Sequence, residues 1–159
     1  MLPQEDNVLI HPPLYLASTV IHCWKCEARM PVVALIASRA SAPDIPVAEE
    51  TACILSFTEE LPEAVLNLVR NRFPSFRYTH SRTTNSSYYA NICPQCGVIS
   101  GDWHLHDPGG PFFPTAEEDA KKLTIEIIPL GESITVRAQL GMGIADQILK
   151  LGVRLNGSS

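Results

Sequence analysis

The chain has 159 residues, of which 45% are apolar, 17 are acidic and 12 are lysine or arginine, so its net charge is −5. This length suits one domain with its own hydrophobic core, and no apolar run approaches the ~18 residues of a membrane-spanning helix. The acidic balance argues against a general nucleic-acid binder. The charge is uneven, however, because residues 64–101 contain four arginines and no acidic residue.

The first thirteen residues end in Pro12-Pro13 and predict an extended tail in front of one domain over residues 14–156. Residues 1–10 contain Glu5 and Asp6 but no basic residue, unlike the start of a secretory signal. We therefore expect a cytoplasmic protein with reduced thiols, and no association with a membrane.

Three strands are predicted in the first third of the domain. Residues 14–22 (LYLASTVIH) and 31–37 (PVVALIA) flank a Cys-x-x-Cys turn, which favours a hairpin. The second of these runs is apolar throughout, so it predicts a strand that is buried on both faces. Residues 51–57 (TACILSF) predict a third strand, in which Cys53 is interpreted as a buried core thiol.

The clearest helix prediction covers about residues 61–73, where apolar residues recur at intervals of three and four. Arginines near its end complement the helix macrodipole, and Pro74 marks the stop. Residues 76–82 and 88–92 then predict a strand pair that leads into a second Cys-x-x-Cys turn.

Three further elements are predicted after that turn. Thr115 and Glu118 have the spacing of a capping box and predict a short helix through Lys122. Residues 123–128 and 133–138 predict a β-hairpin, and residues 144–151 predict a last short helix. The whole pattern predicts an α+β domain, with an antiparallel sheet and one main helix packed on it.

The two Cys-x-x-Cys turns predict a metal site formed by Cys23, Cys26, Cys93 and Cys96. The 66 residues between the turns exceed the usual separation of about 15–20. Loop-closure entropy grows only logarithmically with length, so the long insertion costs little. Four thiolates suit one tetrahedral, structural Zn²⁺ ion in a split zinc ribbon. Disulfides or free thiols are the alternatives.

Five short strings resemble a group of small, uncharacterised bacterial zinc-ribbon proteins. They are HCWKC at residues 22–26, MPVVAL at 30–35, NxCPxCG at 91–97, GDxxLH at 101–106 and GGPFFP at 109–114. The resemblance covers about residues 15–114. It implies a bacterial source and a zinc ribbon, and it implies no catalytic residues.

The acidic composition and the absence of a recognisable catalytic motif favour a non-enzymatic protein-binding module. An immunity- or antitoxin-type protein that neutralises a basic toxin would have this character. The predicted contact is the loop over residues 107–114, with Asp107, Phe112 and Phe113, because its prolines reduce the entropy lost on docking. The alternative for this loop is that both aromatic rings fill the core.

Arginines and aromatic residues alternate over segment 70–89, which gives a second interpretation. Such a segment suits single-stranded nucleic acid, so the chain can also be a nucleic-acid-binding zinc ribbon. The arginines can equally pair with acidic residues of the chain, and the net charge favours that reading. The predicted contacts are Arg70, Arg72, Arg77 and Arg82.

A third interpretation is a hydrolase that uses Asp102, His104 and His106. Histidines with flanking carboxylates can supply general acid–base groups or hold a catalytic metal. His104 and His106 share a face only if the segment is a strand. Asp102 can instead cap a turn, so an enzyme is the less favoured class.

Overall fold

The structure is a computed structural model that describes residues 7–42 and 52–155. Its strands are β1 (Asn7–His22), β2 (Arg29–Ser41), β3 (Cys53–Glu60), β4 (Phe76–Ser81), β5 (Ser86–Ile92), β6 (Ile99–Ser100), β7 (Thr124–Ile128), β8 (Ile134–Met142) and β9 (Val153–Arg154). Its helices are α1 (Glu63–Arg72), α2 (Asp102–Leu105), α3 (Glu117–Ala120) and α4 (Ile144–Leu151). The mostly antiparallel sheets and few helices confirm the α+β prediction.

Four strands pair in a closed ring. β1 pairs with β2, β2 with β3, β3 with β8, and β8 with residues 7–10 of β1, all antiparallel. One core cluster draws buried side chains from all four strands and from α1. Because β8 closes the ring on the first residues of β1, the N-terminal end of β1 is part of the core structure.

β1 therefore begins earlier than the sequence predicts, and the predicted tail over residues 1–13 is wrong for residues 7–13. Val8 and Ile10 are buried, and both pair with β8. Proline is tolerated in strands where the ladder is irregular, and the register of β1 shifts between His11 and Leu14, around Pro12-Pro13. Residues 1–6, and the predicted start of the third strand at residue 51, lie outside the described residues.

The predicted hairpin over residues 123–128 and 133–138 is also wrong, although both of its strands exist. β7 pairs with residues 14–18 of β1, and β8 pairs with residues 7–10 of β1. β1 is 16 residues long, so it offers two consecutive segments to two partners. β9 adds a short parallel strand beside β7.

β2 separates two core clusters. The first is the cluster already described, and it contains the odd-numbered residues of β2 from Val33 to Ala37. The second lies on the other face of β2 and contains its even-numbered residues from Val32 to Ile36. All of these residues are buried, which confirms the prediction of a strand covered on both faces. The second cluster also contains two of the cysteines from the Cys-x-x-Cys turns.

Each core cluster receives one of the two longer helices. α1 buries Val65 and Val69 in the first cluster, and α4 buries Ala145 and Ile148 in the second. The prediction of a single main helix is therefore incomplete, because α4 is nearly as long as α1. No helix in the described part of the chain is long and apolar enough to cross a membrane.

A separate sheet of β4, β5 and β6 is attached to the ring by Asn91. The Val33 N–H donates to Asn91 Oδ1 at 2.9 Å, and Asn91 Nδ2 donates to the Val33 carbonyl at 3.1 Å. The pairing of β2 with β3 covers Leu35 to Ala37, and Val33 lies two residues before it in the chain. The Asn91 amide thus takes the place of a neighbouring strand and brings the end of β5 beside the β1–β2 hairpin.

Candidate metal centre and the adjacent groove

Two turns of the same construction carry the four cysteines. In each, the N–H of the first cysteine donates to the carbonyl five residues on, at 2.9 Å for Cys23 and 2.8 Å for Cys93. The carbonyl of the same cysteine accepts from the N–H four residues on, at 2.9 and 3.0 Å. That fourth residue has a left-handed backbone in both turns, with φ of 65° at Glu27 and 81° at Gly97. Glycine adopts this conformation without steric cost.

The four thiols lie at the separation that one metal ion requires. Sγ of Cys23 is 3.6 Å from Sγ of Cys96, and Sγ of Cys26 is 3.6 Å from Sγ of Cys93. All four Sγ atoms lie within 4.8 Å of one another. Four Zn–S bonds of ~2.3 Å in a tetrahedron place the sulfurs ~3.8 Å apart, so the cluster fits one tetrahedral ion. No two of the cysteines form a disulfide.

Backbone amides favour the thiolate form of the first cysteine in each turn. The N–H two residues on lies 3.4 Å from Sγ in both turns. Backbone hydrogen bonds to its sulfur lower the pKa of Cys23 to about 6, and the bond from the backbone of Cys26 is the largest cause. The corresponding bonds, that of Cys96 foremost, lower the pKa of Cys93. Thiolates are the form that binds a metal ion, so the first cysteine of each turn is electrostatically prepared for one. Burial and the neighbouring thiols instead raise the pKa of Cys26 to about 12.

The fifth cysteine, Cys53, lies in the first core cluster, apart from the four-cysteine group. It is fully buried. Burial, and then the charge of Asp146, raise the pKa of its thiol to about 11. The interpretation of Cys53 as a core thiol is confirmed.

A groove with a volume of about 1070 Å³ lies beside the metal site. Its walls come from the end of β1 with the first cysteine turn, from the β4–β5 connection, and from the segment that runs from the second turn into α2. The described residues that line it include no aspartate or glutamate. Its aromatic and basic side chains are those of Trp24, Trp103, Tyr88, His22, His80, His104 and Arg82.

Two tryptophans at this groove are the most exposed large apolar side chains in the described part of the chain. Trp24 is 68% exposed and Trp103 is 63% exposed. Trp24 lies inside the first cysteine turn, and its Nε1 donates to the carbonyl of Ile99, just after the second turn, at 2.9 Å. The sequence interpretation missed both residues. A signal was present at Trp24, because the two residues between paired metal ligands face away from the ion.

A buried polar cluster centred on Asp102 lies next to the groove. Asp102 Oδ2 accepts from the Phe57 N–H at 2.7 Å, and the Asp102 N–H donates to the Tyr88 hydroxyl at 3.1 Å. His106 Nε2 is 4.0 Å from Asp102 Oδ2. Burial raises the pKa of Asp102 to about 7 and lowers the pKa of His106 to about 4. Phe57 has a φ of 49°, so Asp102 receives its bond from a left-handed backbone position.

The structure brings together two of the three residues in the hydrolase interpretation. Asp102 and His106 lie one helical turn apart and face each other, whereas His104 is exposed at the groove. The segment is a helical turn rather than a strand, so His104 and His106 do not share a face. Both Asp102 and His106 are largely shielded from solvent, which favours a structural pair.

The loop over residues 107–114 folds against α2. The Phe112 N–H donates to the Leu105 carbonyl at 2.9 Å, and a Cβ on Gly110 would lie 2.5 Å from the carbonyl oxygen of His104. Phe112 is 0% exposed and Phe113 is 37% exposed. The prediction that Phe112 docks to a partner is therefore wrong, because its ring fills the second core cluster. Phe113 and Asp107 are exposed, and their role in binding stays a prediction.

The four arginines of the nucleic-acid interpretation are all exposed, but they are spread over three parts of the chain. Arg70 and Arg72 lie in the last turn of α1, where Arg72 forms an ion pair with Glu126. Arg77 lies on β4. Arg82 is the member of the set that lines the groove.

The chain matches no protein-family model, no curated protein and no solved structure. Its class therefore rests on its own features: an α+β domain with a four-cysteine candidate metal site beside an aromatic groove. The resemblance to bacterial zinc-ribbon proteins stays a prediction.

Proposed function

We propose that this chain is a non-enzymatic binding module in which one structural zinc ion holds a ligand-binding groove in shape. Four soft thiolates in tetrahedral spacing are a donor set that zinc prefers. Four protein ligands complete the coordination shell, and catalytic zinc sites instead leave one position open for water or substrate. The metal therefore acts as a clamp between the β1–β2 and β5–β6 hairpins, as in a zinc ribbon with a long insertion.

The exposure of Trp24 and Trp103 is the observation that carries the proposal. Tryptophan is highly buried on average, and exposed aromatic side chains on a rigid support are common anchors of binding sites. Both side chains border the same groove, and Trp24 is held between the two cysteine turns by its hydrogen bond. The groove is therefore the working surface, in preference to the loop over residues 107–114.

The charge of the groove bears on the kind of partner. A basic toxin would need facing carboxylates, and the described lining of the groove has none. The groove consequently favours a neutral or anionic ligand over the basic protein expected from composition. A cytoplasmic location belongs to the same proposal, because a reducing compartment keeps four thiols available for a metal.

Selection of ligands from random pools tests the proposal. The zinc-loaded chain is panned against a phage-displayed peptide library and against a pool of random oligonucleotides, and each selected ligand is measured on three variants. We expect Trp24→Ala and Trp103→Ala each to weaken binding by about 2 kcal/mol or more, as at other interface anchors. Tyr78→Ala is the matched control, because Tyr78 is 55% exposed and lies outside the groove lining.

Two outcomes contradict the proposal. One is that neither pool contains a ligand that the chain retains. The other is that the selected ligands bind both tryptophan variants as tightly as they bind Tyr78→Ala, since the working surface would then lie elsewhere.

A further inference from the structure

We infer that the groove binds single-stranded nucleic acid, with bases stacked on Trp24 and Trp103 and a phosphate contacted by Arg82. The inference rests on the proposed function, because it names the ligand class of the same groove. It also differs from the interpretation of segment 70–89, since both tryptophans lie outside that segment and Arg82 is the shared arginine.

The two indole rings have the properties of stacking platforms. The Nε1 of Trp24 is already bonded to the carbonyl of Ile99, so its ring is held while 68% of the side chain stays open to solvent. Trp103 presents a second ring from α2 at the same groove. Aromatic stacking accepts any base, because every base has a π-face. A ring that has used its N–H on the backbone favours stacking over hydrogen-bonded base recognition.

The local charge also fits an anionic strand, despite the net charge of −5. Arg82 and the exposed His22, His80 and His104 line the groove, and none of the described lining residues is acidic. Outside the lining, the exposed carboxylates of Glu27 and Asp107 follow the first cysteine turn and α2. Asp102, next to the groove, is buried. Its raised pKa of about 7 also reduces its negative charge at neutral pH. The local field at the groove therefore does not follow the net charge.

A single strand suits this surface better than a duplex or a peptide. A duplex hides the faces of its bases, so it cannot stack on exposed indoles without being opened. The exposed hydroxyl of Thr83 also lines the groove beside Arg82, and hydroxyls commonly donate to phosphate oxygens. An acidic peptide would use Arg82, but it would match two tryptophans only with aromatic side chains at one spacing, whereas every base of a single strand has a face to stack.

Fluorescence anisotropy with labelled oligonucleotides tests the inference. The probes are single strands of oligo(dT) and oligo(U) of about 12 nucleotides, within the usual site size of about 4–16. We expect binding by the zinc-loaded full chain that weakens as salt is raised, and weaker binding of a duplex of the same length. Trp103→Ala and Trp24→Ala should each reduce affinity by about 5- to 100-fold, the contribution of one stacked base.

Two further variants show whether the loss of affinity comes from stacking or from charge, and a third is the control. Trp103→Phe keeps an aromatic face, so it should recover most of the affinity that Trp103→Ala loses. Arg82→Glu should weaken binding and reduce its dependence on salt, because one phosphate contact is lost. Tyr78→Ala should bind as the wild type does. Zinc content and circular dichroism of each variant establish that the fold is intact.

The inference is overturned if neither oligonucleotide binds at up to about 100 µM, the weak end of non-specific binding. It is also overturned if binding is unchanged in both alanine variants. A third result separates it from the proposed function. If selected peptides require Trp24 and Trp103 while oligonucleotides do not bind, the nucleic-acid inference fails and the binding-module proposal stands.

Discussion

Asp102 and His106 exchange protonation states when the chain folds. At pH 5 to 6 a solvated aspartate is charged and a solvated histidine is protonated. In the folded chain the pKa of Asp102 is raised to about 7 and that of His106 is lowered to about 4, both by burial. The folded pair therefore carries its proton on the carboxyl group. Both states bind about the same number of protons between pH 4 and 6.5, so the pair contributes little pH dependence to stability.

Removal of either partner should reveal the pH dependence of the other. Asp102→Asn leaves His106, whose pKa is lower in the folded state, so stability should fall as pH falls from about 6.5 to 4. His106→Gln leaves Asp102, whose pKa is higher in the folded state, so stability should fall as pH rises from about 4 to 7. Each change should amount to roughly 3–4 kcal/mol across its window.

Urea denaturation of the wild type and both variants at several pH values between about 4 and 7 measures these slopes. The wild type is the control: zinc binding and the other carboxylates give all three proteins a common pH dependence, so the slope of each variant is taken relative to the wild type. Slopes of the same sign in the two variants would contradict the assignment of the proton to Asp102.

Phe112 and Phe113 are neighbours in the chain with different environments. Phe112 is fully buried in the second core cluster, so Phe112→Ala should cost about 3–5 kcal/mol of unfolding free energy. Phe113 is 37% exposed, so Phe113→Ala should cost about 1 kcal/mol or less. Chemical denaturation of the two variants gives the comparison directly. Equal costs would contradict the difference in burial between the two rings.

At the scale of elements, the side-chain amide of Asn91 is one of the links between the two sheets. Asn91 makes two hydrogen bonds with the backbone of Val33, and all of these groups are buried. Asn91 also stands two residues before Cys93 on the same chain segment. Its bonds therefore fix the distance between the second cysteine turn and β2. The first cysteine turn connects β1 to β2, so the same bonds help to set the distance between the two turns.

Asn91→Ala should remove both bonds and leave the Val33 N–H and carbonyl unpaired. The expected cost is about 2–4 kcal/mol of stability, because each buried unpaired group costs about 1–3 kcal/mol. Zinc should also bind more weakly, which competition with a coloured chelator measures. Asn71→Ala is the control, since Asn71 is exposed on α1. The role assigned to Asn91 fails if the two variants have equal stability and equal zinc affinity.

Elements that local pattern defines were predicted from the sequence, and those that long-range pairing defines were not. The continuous apolar run of β2 and the helical spacing of α1 are encoded within a few residues. The separation of β7 from β8 depends on the length of β1, and the local turn between them carries no information about it. The sequence around Phe112 and Phe113 does not indicate which ring is buried. The burial of Phe112 depends on the contacts of its loop with α2.

The candidate site divides in the same way. The cysteine spacing predicts the metal ligands, because both pairs lie on local turns whose geometry is set by a few hydrogen bonds. The groove has no such local signature. Its two tryptophans are 79 positions apart, and the packing of α2 beside the first cysteine turn places them at one surface.

At the scale of the whole molecule, the metal site closes a long chain segment. The two cysteine pairs join the β1–β2 hairpin of one sheet to the β5–β6 hairpin of the other. Structural zinc contributes ~10 kcal/mol or more of apparent binding free energy, which is comparable with the whole stability of about 5–15 kcal/mol of a typical domain. The relative position of the two sheets, and with it the groove, should therefore depend on the metal.

Cys93→Ser and Cys53→Ser separate the role of the metal from that of a buried thiol. Protein purified without chelators should contain one zinc ion per chain, as elemental analysis measures. Cys93→Ser should lose the ion and melt far below the wild type, because it removes one of four ligands. Cys53→Ser should keep the ion and its response to chelators, since Cys53 lies in the core apart from the site. Its stability should fall only by the ordinary ~1–3 kcal/mol of a buried polar substitution.

Tryptophan fluorescence reports whether the metal also organises the groove. In a Trp103→Phe background Trp24 is the remaining tryptophan, because the chain has two. Trp24 is held by a hydrogen bond between the two cysteine turns, so a chelator should release it and shift its emission to longer wavelength. Readdition of zinc should reverse the shift. A chain that lacks zinc as purified, or a Cys93→Ser variant that melts with the wild type, would contradict the metal clamp. An emission unchanged by zinc removal would leave the clamp in place but show that Trp24 is positioned without it.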